Sequence, residues 1–345
     1  MPEEAPEGID RGGVEAWFEA TVPEVTLPLR FERISGGRSN LTFAVADADG
    51  RRWALRRPPL GKGLTSAHDM GREHKVISAL GPTDVPVAPT VGLCEDEEVN
   101  GAPFFVMEFV DGPILRTQQV AVEAFGKGER RAIGERVAET LVAIHAVDPD
   151  EVGIGDLGKK EDYVARQLHR WHGQWGKSKT RDVPLIDDVH ERLSGRIPDQ
   201  GPATIVHGDY RLDNMILTPA GEIAAVVDWE LCTLGDPLAD VGMLMVYWGQ
   251  PGDALIPLHD VPTTAPGFPR REDVRDRYAE LSGRDLSELD FYVALGYWKL
   301  AIILQGIIAR VSAGQYGKAS DDGGETAEYV ERLAQAADEA ERRLG

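Results

Sequence analysis

Apolar and polar residues alternate with a period of two along the first third of the chain, which is typical of β-strands. This pattern predicts strands over residues 29–34, 41–46, 52–56, 91–94 and 104–107. Helical spacing of apolar residues predicts helices over residues 14–20 and 67–80, and the Asp-Gly and Asn-Gly pairs at residues 49–50 and 100–101 predict hairpin turns. Residues 1–110 are therefore expected to form a mostly antiparallel sheet with one principal helix.

The second part of the chain has the apolar spacing of helices. Helices are predicted near residues 130–147, 161–175, 187–195, 236–249, 271–282, 288–313 and 325–343. Short strands near residues 204–206, 215–217 and 225–227 interrupt them. The expected fold class is α+β with two lobes: an N-terminal, β-rich lobe over residues 1–110 and a larger, mostly helical lobe over residues 111–345.

Composition and charge narrow the range of partners. The 345 residues carry 37 Lys and Arg against 58 Asp and Glu, a formal net charge of −21. Such a surface repels nucleic acids and anionic membranes, so we expect neither as a partner. Cys94 and Cys232 give no disulfide framework, and the acidic N-terminus lacks the apolar core of a secretory signal. We expect a cytoplasmic protein with no obligate protein partner.

The segment over residues 207–214 carries the chemistry. Asp209 and Asn214 are separated by four residues, and Asp228 ends the apolar run 223–227. Kinase active sites have this spacing. It predicts that Asp209 accepts the proton of an acceptor hydroxyl or orients that hydroxyl, and that Asn214 and Asp228 hold Mg²⁺ through hard oxygen ligands. Each residue alone also fits a structural role, but their joint spacing favours the active site.

Two earlier segments have the residues that a nucleotide needs. Gly36, Gly37 and Ser39 lie in a turn between the first two predicted strands, where glycines let backbone N–H groups approach phosphates. The turn lacks the G-x-G-x-x-G spacing, so an ordinary β-turn is the alternative. Ala54 and Arg56 share one face of the third strand, where a small residue leaves room for adenine and a cation meets phosphates. The arginine departs from the lysine of protein kinases.

Glu73 lies on the apolar face of the following helix, and we predict that it forms an ion pair with Arg56 because a buried carboxylate needs a cation. The alternatives are an exposed Glu73 and an exposed edge position for Arg56. Met107, Glu108 and Val110 join the two predicted lobes and are predicted to offer backbone groups to adenine. A plain connection between lobes is equally compatible with that segment.

The distance from Asp228 to the next helix indicates the kind of acceptor. Protein kinases have a long activation segment and an A-P-E signature after their metal-binding aspartate, whereas here a helix is predicted to begin near Asp236. We therefore expect an ATP-dependent kinase that acts on a small-molecule hydroxyl. Two alternatives are a non-catalytic nucleotide-binding module and a metal-dependent hydrolase using His207. The Gly-Lys-Ser at residues 176–178 lacks the first glycine of a P-loop and no predicted strand precedes it.

Residues 207–217 and 227–240 resemble the aminoglycoside phosphotransferase family, and most closely its branch that includes the kinase domains attached to some acyl-CoA dehydrogenases. Residues 55–59, 85–89 and 163–171 match it as well. The resemblance covers nearly all of the chain from residue 31 onward. It implies a protein-kinase-like fold, ATP and Mg²⁺ as cofactors, and the roles given above to Asp209, Asn214 and Asp228.

Two features of the sequence favour different acceptors. The net charge of −21 suits polycationic aminoglycosides. Residues 159–181 are instead locally basic, and Tyr163, Arg166, Gln167 and Arg170 fall on one side of a predicted helix. We predict that these four residues bind an anionic or hydroxyacyl-CoA compound, with an aminoglycoside as the alternative acceptor. A solvated helix face is the structural alternative for this segment.

Overall fold

The computed structural model describes residues 5–34, 40–60, 69–256, 260–312 and 323–344. Gly36, Gly37 and Ser39, which the sequence predicts to contact phosphates, lie outside the described residues.

The N-terminal part is built on a five-stranded antiparallel sheet with the strand order β1-β2-β3-β5-β4. Its strands are β1 (Arg30–Arg33), β2 (Leu41–Ala46), β3 (Arg52–Arg57), β4 (Thr90–Cys94) and β5 (Phe104–Glu108). Every second residue of β2 is buried, because one face of the strand lies on the core. The strands follow the predicted ones to within about two residues.

The two faces of this sheet carry different helices. On one face, Phe43 and Phe104 pack with α1 (Arg11–Thr21) in a small hydrophobic cluster. Phe105, the next residue of β5, belongs instead to the larger cluster that includes α2 (Met70–Leu80). Successive side chains of a strand point to opposite faces. Arg56 stands opposite Phe105 in the β3–β5 pairing, so it lies on the α2 side.

The connection between β4 and β5 differs from its prediction. The Asn-Gly pair was expected to form a hairpin turn, but α3 (Glu97–Asn100) winds one helical turn there. Gly101 ends this helix with a φ of 70°, a left-handed conformation that suits glycine. The side chain of Asp96 accepts a hydrogen bond from the N–H of Glu98 and so caps the turn. The strands still pair as predicted, through a longer connection.

The C-terminal part is mostly helical. Its helices are α4 (Gln118–Ala124), α5 (Lys127–Ala146), α6 (Tyr163–Ser178), α7 (Pro184–Ser194), α8 (Leu238–Tyr247), α9 (Arg271–Ser282), α10 (Leu289–Ser312) and α11 (Gly323–Arg342). All of these contribute to one large hydrophobic cluster, centred on residues such as Ile133, Leu141 and Trp298. The helix α4 was not predicted from the apolar pattern, and the predicted boundary between the lobes at residues 110 and 111 stays a prediction.

The helical part also contains two short two-stranded antiparallel ribbons, which position the candidate site. β6 (Thr204–Val206) pairs with β9 (Thr233–Gly235), and β7 (Met215–Leu217) pairs with β8 (Ile223–Val226). Met215 stands opposite Val226. Since Asn214 precedes the first of these residues and Asp228 follows the second, the two predicted metal ligands lie at the same end of one ribbon.

The helix α10 is long and apolar enough by composition to cross a membrane, but 61% of its apolar window is buried within the protein. It packs extensively against α8 and α11, as the core helix of a globular protein does. A single such helix is weak evidence for a membrane span. Its sequence includes Lys299, which lies half-buried among apolar neighbours.

Candidate active site

The loop that carries Asp209 is held in place by a buried carboxylate. Asp240, on α8, accepts hydrogen bonds from the backbone N–H of His207 at 2.6 Å and of Gly208 at 2.8 Å. Gly208 has a φ of 86°, and a Cβ there would lie 3.0 Å from the Leu231 backbone oxygen, so the turn requires glycine. The side chain of Asp236, where the sequence predicts the helix to begin, instead accepts hydrogen bonds from Tyr292 and from the N–H of Leu238.

The loop turns Asp209 toward Asn214. The side-chain nitrogen of Asn214 donates to the Asp209 carboxylate at 3.0 Å and to the Asp209 carbonyl at 2.8 Å. The Asp209 side chain is 22% exposed, so a hydroxyl can reach it from solvent. The structure thus brings together the predicted base and one predicted metal ligand.

Arg211 is a member of this loop that sequence reasoning missed. Its guanidinium lies 3.5 Å from the Asp209 carboxylate and 3.4 Å from the Asp213 carboxylate. Burial alone lowers the pKa of Arg211, but Asp209, Tyr247 and Asp213 outweigh burial and raise the pKa above its ordinary value. The group is therefore a permanent cation beside the predicted base. In the sequence Arg211 lies between Asp209 and Asp213, and this position could have identified it as a member of the site.

The second predicted metal ligand, Asp228, lies against the side of the site where the sequence predicts the nucleotide. Asp228 has a φ of 68°, and its carboxylate contacts the Arg56 guanidinium at 2.5 Å. Because Asn214 uses its amide nitrogen toward Asp209, its amide oxygen is the atom able to bind a cation. A carboxylate oxygen and an amide oxygen are the ligand types that Mg²⁺ prefers.

Among the described residues, no three His, Cys, Asp or Glu side chains form a ready-made metal cluster. Protein sites for Mg²⁺ commonly supply only one or two carboxylates and leave the rest of the coordination to phosphates and water. The pair Asn214 and Asp228 therefore fits Mg²⁺ that enters with a nucleotide. When bound, the ion would neutralise negative charge on the transferring phosphates.

Arg56 joins the small lobe to this segment. Its guanidinium contacts Glu73 at 2.9 Å and Glu230 at 3.6 Å, in addition to Asp228. Burial alone lowers the pKa of Arg56, but the three carboxylates raise it above its ordinary value. Burial raises the pKa of Glu73, and Arg56 opposes that shift. The predicted contact between Arg56 and Glu73 is present, and both side chains are nearly inaccessible to solvent.

Two further residues that the sequence did not reveal fix this arrangement. Glu230 accepts a hydrogen bond from the Asn40 side chain at 2.9 Å, which ties the metal-binding segment to the start of β2. Arg72, beside Glu73 on α2, donates to the carbonyl oxygens of Leu157 at 2.7 Å and Cys232 at 2.9 Å. These bonds hold α2, and with it Glu73, against the C-terminal lobe. Neither contact follows from local sequence, because each joins residues far apart in the chain.

The residues predicted to surround adenine lie along β3 and β5. Ala54 is buried and stands opposite Met107. Glu108 donates its backbone N–H to Pro89 at 2.8 Å, so that amide is already used within the protein. Val110 follows the end of β5 and is partly buried. Their contacts with a nucleotide stay predictions.

The predicted acceptor residues lie at the N-terminal half of α6, and only some of them face the catalytic loop. Tyr163 and Gln167 line a recess that also includes Gly208, the residue before Asp209. Arg170 is exposed and lies over the Trp171 ring at 5.5 Å. Arg166 donates to the Lys159 carbonyl at 2.5 Å.

The buried pair His145 and Asp240 is expected to make the protein less stable in acid. Burial lowers the pKa of His145, and Asp240 only partly opposes this. Burial tends to raise the pKa of Asp240, but contacts with His145 and the Gly208 N–H lower it below its ordinary value. The unfolded chain therefore binds protons on both groups at a higher pH than the folded protein does, and acid favours unfolding.

The loss of stability should begin as the pH falls through 6.5, the ordinary pKa of histidine, and should continue through 3.8, that of aspartate. Urea unfolding at a series of pH values measures the slope. In His145→Gln the upper part of the slope should disappear while the lower part remains. An unchanged slope above about pH 5 in that variant would show that His145 is not responsible.

Comparison with known proteins identifies the family and the fold. The sequence profile of the family described as "APH: Phosphotransferase enzyme family" matches residues 30–292. A crystal structure from Ralstonia eutropha JMP134, provisionally described as an aminoglycoside phosphotransferase, is 34% identical and covers 97% of this chain and 99% of its own, with a TM-score of 0.81.

Acyl-CoA dehydrogenase family member 10 of Mus musculus is 34% identical over 314 residues, which are 90% of this chain and 29% of that protein. This chain thus spans less than a third of that relative. A thermostable mutant of APH(4)-Ia, solved as a ternary complex with AMP-PNP and hygromycin B, is 19% identical and covers 95% of this chain and 98% of its own, with a TM-score of 0.60. That likeness concerns the fold. Together with the Ralstonia structure it confirms the predicted bilobal, kinase-like α+β class.

Proposed function

This chain belongs to the phosphotransferase enzyme family, and on that basis we propose that it transfers the γ-phosphoryl group of ATP to a hydroxyl of a small molecule. The observation that carries the proposal is the contact between Asp209 and Asn214 at 3.0 Å, at the end of the ribbon where Asp228 also lies. A base and two oxygen ligands placed in this way suit phosphoryl transfer.

In the proposed reaction, Asp209 holds the acceptor hydroxyl and takes its proton as the oxygen attacks phosphorus. Arg211, 3.5 Å from that carboxylate, places a positive charge beside the transferring group. Arg56 supplies a second cation on the nucleotide side, and Glu73 holds it there. Asn214 and Asp228 would bind Mg²⁺. The chain's own residues thus position and neutralise the reacting groups.

ATP is the proposed donor. The APH(4)-Ia neighbour was solved with AMP-PNP, an ATP analogue, and the same fold places Arg56 and Asp228 together here. The short connection between Asp228 and α8, which begins at Leu238, leaves little chain for the activation segment that protein kinases use for protein substrates. This supports a small-molecule acceptor.

Among small molecules, we favour an anionic or hydroxyacyl-CoA compound. Arg166 and Arg170 lie on α6, the helix whose Tyr163 and Gln167 line the recess that reaches the catalytic loop, in a protein whose overall charge is −21. Basic residues concentrated there suit a negatively charged acceptor. The relation to an acyl-CoA dehydrogenase family member also supports an acyl compound, because a kinase-like part and a dehydrogenase joined in one chain can act on related substrates.

An aminoglycoside acceptor is the second candidate. The Ralstonia structure carries that provisional description, the APH(4)-Ia complex contains hygromycin B, and a net charge of −21 attracts polycations. The basic residues of α6 weigh against this candidate.

A side-by-side transfer assay tests the proposal. The purified chain is incubated with ATP and Mg²⁺ and with a hydroxyacyl-CoA, a free hydroxy acid, hygromycin B or a second aminoglycoside. Phosphorylated products are detected by mass spectrometry and ³¹P NMR. We expect a phosphate ester of an anionic compound and no product after Mg²⁺ is chelated. Product from aminoglycosides alone would favour the second candidate, and no product from any compound in the presence of bound ATP would contradict the proposed activity.

A further inference from the structure

A recess beside the catalytic loop contains one cation that the proposed reaction has not yet used. Its walls are formed mainly by Tyr163 and Trp171 of α6, Met243 of α8 and Leu295 of α10. It is open to solvent on one side. Lys299 of α10 and Gly208 of the catalytic loop line the same recess. The recess is therefore a mostly apolar space that reaches the residue next to Asp209.

The ammonium of Lys299 has an unusual set of partners for a half-buried charge. It donates to the Gly208 carbonyl at 3.0 Å and lies 5.5 Å from the centre of the Trp171 ring. Among the described residues no carboxylate lies within ion-pair distance of it, although Asp209 and Asp240 are near enough to act on it electrostatically. Placing a charge in apolar surroundings is costly unless that charge is paired. An ammonium has three N–H donors, and Gly208 takes one of them.

The surroundings of Lys299 also show that it lies near the reacting end of the site. Burial lowers the pKa of Lys299, Asp209 and Asp240 oppose that shift, and Arg170 adds to it. The amine is thus close enough to Asp209 to interact with it electrostatically, and Arg170 adds positive charge from α6. A molecule whose hydroxyl lies at Asp209 would place its next polar group within reach of Lys299.

We propose that Lys299 is the specificity-determining residue of the acceptor recess and that its ammonium binds an acyl oxygen of the acceptor, either the carboxylate of a hydroxy acid or the carbonyl of its ester or amide. The apolar walls would hold the carbon chain between that oxygen and the reacting hydroxyl. A polycation would instead place an ammonium group against Lys299, and the like charges would repel. The proposal rests on the proposed function only in that the recess receives the acceptor.

Binding of three probes of equal length tests the role of Lys299 without turnover. The probes are ω-hydroxyhexanoate, ω-hydroxyhexanamide and ω-aminohexanol, and binding to the full chain is measured by calorimetry with and without AMP-PNP and Mg²⁺. The native protein should bind the acid at least about tenfold more tightly than the amino alcohol. The affinity for the amide is compared with these two values. An affinity close to that for the acid shows that a neutral carbonyl is sufficient, and one close to that for the amino alcohol shows that a carboxylate is required.

Substitutions separate recognition from structural support. Lys299→Met should weaken binding of the acid by about tenfold or more and leave the amino alcohol unaffected or improved, whereas Lys299→Arg should retain the preference. Lys177→Met is the matched control, because it makes the same change of charge at an exposed position of the same lobe, on α6. It should leave all three affinities within about threefold.

Two results would overturn the proposal. The first is equal affinity of the native protein for the acid and the amino alcohol. This measurement does not depend on whether any variant folds. The second is an equal loss of affinity for all three probes in Lys299→Met. Loss of a purely structural contact with Gly208 would have that effect. Failure of the proposed function gives a different result. The native protein would then still prefer the acid in the binding experiment but would transfer no phosphoryl group in the transfer assay.

Discussion

Asp209→Asn is expected to lower the rate of phosphoryl transfer by about two to four orders of magnitude, the usual contribution of a general base. An amide has nearly the same shape as a carboxylate, and its oxygen can still accept the hydrogen bond from Asn214 that the structure shows at 3.0 Å. The amide cannot accept the proton of an acceptor hydroxyl. The maximal rate should therefore fall, whereas the affinity for ATP should stay within about threefold of the native value. Product formation and ATP binding are measured separately.

The same loop offers a matched control for this substitution. Asp213→Asn also removes a carboxylate that contacts Arg211, and the two side chains are similarly exposed, at 27% for Asp213 and 22% for Asp209. Asp213 has no part in the proposed reaction, so the transfer rate of Asp213→Asn should change much less than that of Asp209→Asn. Equal losses in the two variants, or near-normal turnover of Asp209→Asn, would remove Asp209 from the role of base.

The parts of the site that local spacing specifies could be predicted from sequence. Asp209 and Asn214 are close in the chain. Asp228 follows β8, which pairs with the strand that begins directly after Asn214, so the spacing and a short hairpin were enough to predict that the three residues lie together. Arg56 and Glu73 could be paired because Glu73 lies on the apolar face of its helix, where a carboxylate needs a cation, and Arg56 is the cation expected on the neighbouring strand. These contacts are present in the structure, and the chemical roles of the five residues stay predictions.

The contacts that were missed depend on tertiary packing. Lys299 reads in sequence as an interruption of an apolar helix, and nothing local indicates that α10 passes beside the catalytic loop and α6. Arg72 reads as one of several helix charges, yet it binds the carbonyl of Cys232, which is 160 positions away. The helix predicted to begin near Asp236 begins at Leu238, and nothing local in the sequence shows that Asp240 in its first turn holds the catalytic loop.

The distribution of charge would let an acidic protein bind the proposed nucleotide and an anionic acceptor. The formal net charge is −21, yet Arg56, Arg211 and Lys299 all lie in the interior of the candidate site. Charges on the outer surface are screened by salt beyond about 8–10 Å, whereas buried charges act on a bound ligand with little screening. The net charge of the chain is thus a poor guide to its acceptor, and the charges around Asp209 are a better one.

The ion pair between Arg56 and Glu73 is expected to have the largest effect on stability. The guanidinium is 11% exposed and the carboxylate 2% exposed, so Arg56→Met leaves Glu73 buried without its closest cation. Breaking a buried pair by removing one partner typically costs about 3–5 kcal/mol of unfolding free energy. Binding of ATP should weaken as well, because the cation predicted to meet its phosphates is lost. Urea unfolding measures the first effect and nucleotide titration the second.

A double substitution separates these two effects. Arg56→Met combined with Glu73→Leu removes both charges of this pair and leaves Asp228 and Glu230, which are more exposed than Glu73. The free energy of unfolding should therefore rise well above that of Arg56→Met alone, since apolar replacement of a buried pair is often neutral. Binding of ATP should not return. The control is Arg52→Met, on the same strand, which removes an exposed contact with Asp111 and should cost at most about 1 kcal/mol. If the double variant is as unstable as Arg56→Met, the instability does not come from an unpaired Glu73. If the double variant binds ATP normally, Arg56 does not hold the phosphates.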